Sequence, residues 1–507
     1  MNKRVRKDSE VVCEYVLPDY MGDIKKILAS RARAIPAGRF VGEGEVSVSG
    51  VVEYEVLYAD SENKLTSITA SADYGVSVPT SSSEEGCAVE ESHVESLGIR
   101  ITGPRKIIMK SNVATVITVS EDLESEVTGD GFSEPSEVIT RTTTISVENS
   151  VFGSSGEREY SDEAERLVGV AVEGVEIIST GGRVRITEAE STDGGVIVRG
   201  EIIITSIVRT EEQPPFAIRR VIPFEEKVEI EGVTVGMQAV ADGYVTSAVC
   251  STSADGEDTV LLVNAILEYT AAAYKNSDVE VVTDAYLQSA LTEEKYTYTD
   301  YKTLLEVGEW ELAVGTERAR ESLGCSDVRD ILFVNAEVKS SEAVLGGCGA
   351  EISGEILVCG VACEVNADNS INYVPIKFSF PFSSSVNFNC QIPDGAQLDL
   401  RTYVSDAEGK LDGDNIYVKC LLKARAHVVC GKKIKRLEEL IKKEDALSIP
   451  TASRITVYYP KTGDTLFDVA KYFHTTEEKL ARDNGLTELT SLGSDKALYD
   501  VKKLIIR

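Results

Sequence analysis

The chain has 507 residues, 42% hydrophobic and 27% charged, which is ordinary globular usage with room for about three domains. Its 52 basic and 84 acidic side chains leave a formal net charge of −32. Such a field repels phosphate backbones and anionic lipid, so it excludes nucleic acid or a bare membrane as partners for most of the chain. Solubility is the plainest use of that charge. The basic start MNKRVRK has no apolar run of about 7 to 15 residues behind it. No window reaches the roughly 18 apolar residues of a spanning helix, so no integral membrane segment is expected. The expectation is a cytoplasm-like compartment, in which most of the ten cysteines stay reduced.

In chain order, the first block covers 11–127. MGDIKKIL predicts a short helix, because Ile24, Ile27 and Leu28 share a face at the i, i+3, i+4 spacing. In VVEYEVLY, Val52, Tyr54, Val56 and Tyr58 alternate with Glu53 and Glu55, the period of a half-buried strand. TSSSEEG is a polar stretch, IIMKSNVATVITV predicts two more strands, and EDLESEVTGDGFSEPSE reads as a linker.

The second block, 138–289, has SDEAERL as its short helix and VLLVNAILEYTAAAY as a long closing strand. The third, 296–443, follows LTEEKYTYTDYK. There Tyr296, Tyr298 and Tyr301 fit one face of an edge strand, with covalent cross-linking the sharper alternative. The third block carries seven of the ten cysteines. Cys359 and Cys363 share a predicted strand face with Leu357 and Val361, where free Cys packs as a small hydrophobe. His427 and Cys430 lack a second ligand pair, so no metal site is expected; oxidative cross-linking between chains is the other use of these thiols. GKKIKRLEELIKKEDAL predicts a basic amphipathic helix over 431–447, with Ile434, Leu437, Leu440 and Ile441 as its apolar stripe. That stripe packs on the third block or docks an acidic partner.

The three blocks share a repeated stretch at 27–50, 177–200 and 331–354. Each opens on paired apolar residues, ends in Ser-Gly or Arg-Gly, and is followed by an alternating strand and an aromatic, Tyr74, Phe224 or Phe382. A period of about 150 residues is domain-sized and predicts three tandem domains rather than a solenoid. Short strands, frequent turns and little helix make the fold mainly β, each copy a β-sandwich or barrel-like domain.

The pattern changes over 453–507. A strand, a Gly-Asp-Thr turn and a helix with Leu466, Val469, Ala470 and Phe473 on one face come first. A second helix, opened by a capping box at Thr475 and Glu478, stops near Asn484-Gly485, and KLIIR closes the βααβ unit. This unit resembles a LysM domain. The resemblance implies binding of N-acetylglucosamine polymers through Gly463, Asp464, Thr465 and Leu466 on one side and the stretch after Asn484 on the other. Where LysM domains usually carry a Pro-Gly turn, this chain has Tyr499, Asp500, Val501 and Lys502, after a loop lengthened by LTSLGSDKA. That departure leaves a protein-docking use of the groove open.

LPDYMGDIKKIL, the following strand pair, Ser-Gly and VEYEVLYADSENK resemble the SPOCS family of spore-coat domains. SPOCS-type units followed by a LysM domain imply a mother-cell cytoplasmic protein at the forespore surface. Its implied partners are the self-assembling coat ATPase of the basement layer and other coat proteins.

No GxxxxGK[ST] loop or GxSxG elbow occurs, and the three histidines, His93, His427 and His474, fall in different units. No catalytic residue, cofactor or enzymatic activity is therefore expected. Two readings remain. One is a non-enzymatic coat-assembly adaptor whose copies act as spacers and docking faces, gaining avidity of about 10²–10⁴ by multivalency. The other is a peptidoglycan-binding protein of the envelope or spore cortex.

Overall fold

The computed structural model describes residues 2–42, 44–80, 88–120, 138–325, 327–366, 368, 370–443, 455–486, 498 and 501–506. The protein is mostly β, with two short helices near the C-terminal end. Two units divide it. The first takes 1–121, 148–275 and 304–430; the second takes 122–147, 276–303 and 431–507.

Each copy of the repeat contributes one meander to the first unit. In copy one, β2 (Ile24–Gly42), β3 (Glu45–Asp60) and β4 (Leu65–Pro79) pair in that order. In copy two the strands are β9 (Val175–Thr192), β10 (Gly195–Thr210) and β11 (Phe216–Glu229). In copy three they are β15 (Val328–Gly346), β16 (Gly349–Val365) and β17 (Ile371–Asn387). The repeated glycine and aromatic are cross-strand partners: Gly50 faces Tyr74, Gly200 faces Phe224 and Gly354 faces Phe382. The rings lie over the glycines, and a Cβ at any of the three would overlap the aromatic. This device pins strand register.

A second sheet completes each copy. Copy one uses β1 (Asn2–Val16), β6 (Lys106–Ser120) and β5 (Ala88–Gly103), in the order β1-β6-β5. Copy two uses β12 (Gln238–Asp255), β13 (Asp258–Leu287) and β7 (Val138–Ser154), with β8 (Arg158–Leu167) also paired to β13. Copy three uses β14 (Thr292–Ala319), β19 (Asn415–Lys442) and β18 (Ala396–Asp412). The two sheets of a copy face each other across one apolar core. In copy one, Val11, Met109 and Val113 meet Tyr54, Val56 and Ile68. The copies are sandwiches, not barrels.

Equivalent residues of the copies also meet one another. Leu28, Ile178 and Leu332, one from each, share a buried cluster with Leu57, Ile207 and Val361. The second halves of β3, β10 and β16 are therefore buried on both faces, one by the sandwich core and the other by the neighbouring copies. The copies thus pack on one another through apolar outer faces that would be costly to leave in water.

Three predicted helices are strands. MGDIKKIL lies mostly in β2, where bulges at Ile24/Lys26 and Ile27/Ala29 shift the alternation and imitate a helical spacing. SDEAERL lies in β8, paired to β13. The basic segment expected as a helix over 431–447 continues β19 to Lys442; its last residues lie outside the described ones. IIMKSNVATVITV is one strand, β6, not two. The linker at 121–137 also falls outside the described residues. Among the described residues all nine cysteines are free thiols. Cys363 is buried beside Val361, and Cys359 half-buried.

In the second unit the ends of β7, β13, β14 and β19 pack together. Ala285, Leu287, Leu437 and Leu440 form one buried cluster, and Ile145, Val147 and Val281 another. β14 is an edge strand, as expected, but its tyrosines do not share one face: Tyr296 bonds Asp284 at 2.9 Å and packs on the first cluster, Tyr301 packs on the second, and Tyr298 stands in solvent.

Candidate functional site in the C-terminal module

The module is built from β20 (Thr456–Tyr458), α1 (Leu466–Tyr472), α2 (Glu477–Asn484) and β21 (Leu504–Ile506), with β20 and β21 antiparallel. Leu466, Phe467, Val469, Ala470, Leu480, Ala481, Leu498, Leu504 and Ile506 form its core. The capping box lies at α1, not α2. Thr465 caps α1 and accepts from the Asp468 N–H, while the Asp468 carboxylate accepts from the Thr465 N–H. Helix α2 is capped by Thr476 rather than Thr475 and ends at Gly485 in the left-handed region.

Gly463 supplies the positive φ (97°) of the turn before α1. The Asp464 carboxylate accepts from the Tyr458 hydroxyl (2.7 Å) and the Lys461 N–H (2.8 Å), and the hydrogen bond to Asp464, with burial, pushes the Tyr458 phenol up to about 12. The Asp464 carbonyl accepts from the Leu498 N–H at 2.8 Å, joining the turn to the stretch after α2. Leu466 is buried. Asn484 lies elsewhere: its amide bonds the Leu480 and Ile505 carbonyls and accepts from the Ile505 N–H, stapling α2 to β21. Val501 packs against the core and Lys502 is exposed. Tyr499 and Asp500 lie outside the described residues.

Strands of the same unit hold the Thr465 end of the turn, while Gly463 stays exposed. Arg141 of β7 donates to the Thr465 hydroxyl (2.9 Å) and the Asp468 carboxylate (2.6 Å), and its guanidinium stacks 4.2 Å above the Phe467 ring. Burial alone would raise the Asp468 pKa; Thr465 and Arg141 outweigh it and hold the carboxyl below its ordinary value. Tyr286 of β13 is fully buried, edge-on to Phe467 with ring centroids 5.3 Å apart, and donates to the Thr475 carbonyl at 2.6 Å. Lys471 pairs with Asp284 (2.6 Å) and Glu294 (3.0 Å). His474 Nδ1 lies 2.9 Å from the Leu287 carbonyl oxygen, where its N–H tautomer bonds.

Sequence reasoning passed over Arg141 and Tyr286, which lie far from the module in the chain. It also passed over an open face. Ile455, Val457 and Tyr459 alternate along β20 and its flanks at 67%, 47% and 70% exposure. ITVYY carries that signal, since Ile455, Val457 and Tyr459 make one face apolar while Tyr458 already supplies an aromatic to the other.

The fold and site define a mainly β protein with repeated sandwiches and a small βααβ binding module. Residues 175–252 match the family described as SipL, SPOCS domain, and residues 461–492 match the LysM domain. The two matches support a SipL-like arrangement, a SPOCS domain in the chain's interior and a LysM domain towards its C-terminal end. Both are families of binding rather than catalytic domains; SPOCS domains suggest a link to sporulation and LysM domains suggest peptidoglycan recognition. No curated protein and no solved structure matches the chain. Among the described residues no helix is long and apolar enough to cross a membrane.

Proposed function

We propose that the protein is a non-enzymatic adaptor of spore-coat assembly, working in the mother-cell cytoplasm at the forespore surface. Its LysM module docks the self-assembling coat ATPase and so tethers other coat proteins. One observation carries this reading: Arg141 engages the Thr465 end of the turn that would hold a glycan, while the β20 face with Ile455, Val457 and Tyr459 stands in solvent. An apolar strip of that kind suits a protein partner, with Lys502 as an exposed charge in the same module. The second reading, peptidoglycan binding, is favoured by the LysM match and by the intact Gly463–Thr465 turn.

The test presents the full-length chain to the purified coat ATPase and, separately, to insoluble peptidoglycan. Retention on the ATPase is expected, with Val457→Lys weakening it about tenfold or more, a loss of about 1.4 kcal/mol. Retention on peptidoglycan and not on the ATPase would overturn the proposal and establish the second reading.

A further inference from the structure

In the first unit, β2, β9 and β15 bring equivalent positions together. Positions 31, 181 and 335 are Arg, Gly and Asn, and positions 33, 183 and 337 are Arg, Arg and Glu. They line two neighbouring cavities of about 220 and 310 Å³, with Arg31 and Arg183 in the walls of both. Gly181 permits this, because a Cβ there would overlap the Arg31 guanidinium.

The guanidinium groups differ in how they are satisfied. Arg31 pairs with Glu55 (2.5 Å) and Arg33 with Glu53 (2.9 Å). Arg219 holds Asp406 through two hydrogen bonds of 3.1 and 2.7 Å, and Arg401 pairs with Glu91 at 2.8 Å. Arg183 is the exception. Among the described residues it makes one hydrogen bond, from Nη2 to the neutral Asn335 Oδ1 at 2.8 Å, and no ion pair. A guanidinium has five N–H donors, so most of this one's capacity faces the cavities. Burial, and then Arg31 and Arg219, lower the Arg183 pKa to about 10. His93, at the partly exposed wall of the larger cavity, is lowered to about 4 by burial and then by Arg401.

Acidic groups also line the cavities, and most have partners of their own. Asp406 is held by Arg219. Glu337 is exposed and accepts from Asn335 rather than from Arg183, and Glu95 of the larger cavity pairs with Arg6 at 2.6 Å. Asp330 and Glu408 line only the smaller cavity. Arg183 is half-buried; a cation withdrawn from water in this way is costly without a counter-charge, and an oxyanion held by paired N–H groups is the group a guanidinium fits best.

We propose that the two cavities form one binding site for a small, multiply charged oxyanion, a phosphate or a polycarboxylate, that supplies the missing counter-charge of Arg183. The site is common to all three copies, so its ligand ties them together and stabilises the assembled unit by mass action.

The test titrates the desalted full-length protein, at low ionic strength, with inorganic phosphate, pyrophosphate and citrate, by calorimetry and thermal melting. At least one is expected to bind with a Kd below about 1 mM and to raise the melting temperature; the one that does distinguishes the phosphate from the carboxylate source. Arg183→Met should weaken binding at least tenfold. The double variant Asn335→Asp/Glu337→Gln keeps the net charge and puts a carboxylate in contact with Arg183. It should melt no lower than the parent and lose the response to the anion. It decides the matter if Arg183→Met fails to fold. No binding of any of the three anions, or undiminished binding in the double variant, would overturn the proposal.

Discussion

Arg425 shows what a single side chain can organise here. Its guanidinium donates to Asp242 (2.6 and 3.0 Å), Glu309 (2.8 and 3.0 Å), Glu91 (3.2 Å) and the Ala241 carbonyl (2.7 Å), so one cation gathers carboxylates from all three copies. Tyr286 plays the corresponding part in the second unit: it fills the LysM core and bonds Thr475 from a strand outside the module. Removing only its hydroxyl, in Tyr286→Phe, should cost about 0.5–1.5 kcal/mol. Tyr286→Ala should cost about 3–5 kcal/mol, as truncation of a buried aromatic does. Hydrogen exchange over 455–486 reads the difference. Faster exchange there in the Ala variant, with 44–80 unchanged, is expected; unchanged protection in both regions would mean that the module folds without its strand neighbour.

Among the elements, those with local signals were legible in sequence. Helices α1 and α2, the stop at Gly485 and the closing strand stand where LFDVAKYF, TEEKLARDNG and KLIIR place them, because caps and an apolar stripe act within a few residues. The repeat was legible as well, and its glycine–aromatic offset is the cross-strand pairing itself. The predicted helix in β2 was misread because its bulges break the period of two, and β8 because an open edge of β13 outweighs the helix preference of Glu, Ala and Arg. At the candidate site the Gly463–Thr465 turn was legible, but the capping box was read at Thr475 and lies at Thr465 and Asp468, and Arg141 lies 327 positions from Asp468, where no local pattern announces that contact. The strand pairing can be tested at Gly200, where a Cβ would overlap the Arg185 carbonyl and the Phe224 ring. Gly200→Val should cost about 1–3 kcal/mol in urea unfolding. Adding Phe224→Ala should give a total smaller than the sum of the single losses. Strict additivity would mean that glycine and ring do not interact.

At the scale of the whole molecule, an acidic chain holds its three copies together through buried ion pairs, and that couples its assembly to pH. Glu91 of β5 is faced by Arg4 from β1, Arg401 from β18 and Arg425 from β19, with Asp242 of β12 and Glu309 of β14 sharing Arg425. Burial alone would raise the Glu91 pKa, but Arg401, Arg425 and Arg4 together lower it from 4.5 to about 2. Glu309 is shifted the same way, burial being outweighed by Arg425 and Lys423. A carboxyl whose folded pKa is depressed contributes stability that is present above its unfolded pKa and lost as pH falls through the folded one. For Glu91 the window runs from about pH 4.5 to about 2, and the contribution is on the order of 3 kcal/mol. His93 adds loss of the same sign at higher pH, because its folded pKa lies below the unfolded value and acid protonates the unfolded chain first. The raised pKa of Glu337 works in the opposite direction just above pH 4.5. Unfolding followed in urea from pH 7 to pH 3 should therefore show stability falling most steeply below pH 4.5. Glu91→Gln should be less stable than the parent at pH 7, since it strips a partner from buried cations, yet should lose less on acidification, so that the two profiles converge toward pH 3. Parallel profiles would mean that Glu91 keeps an ordinary pKa and that the junction of the three copies is held by its apolar clusters alone.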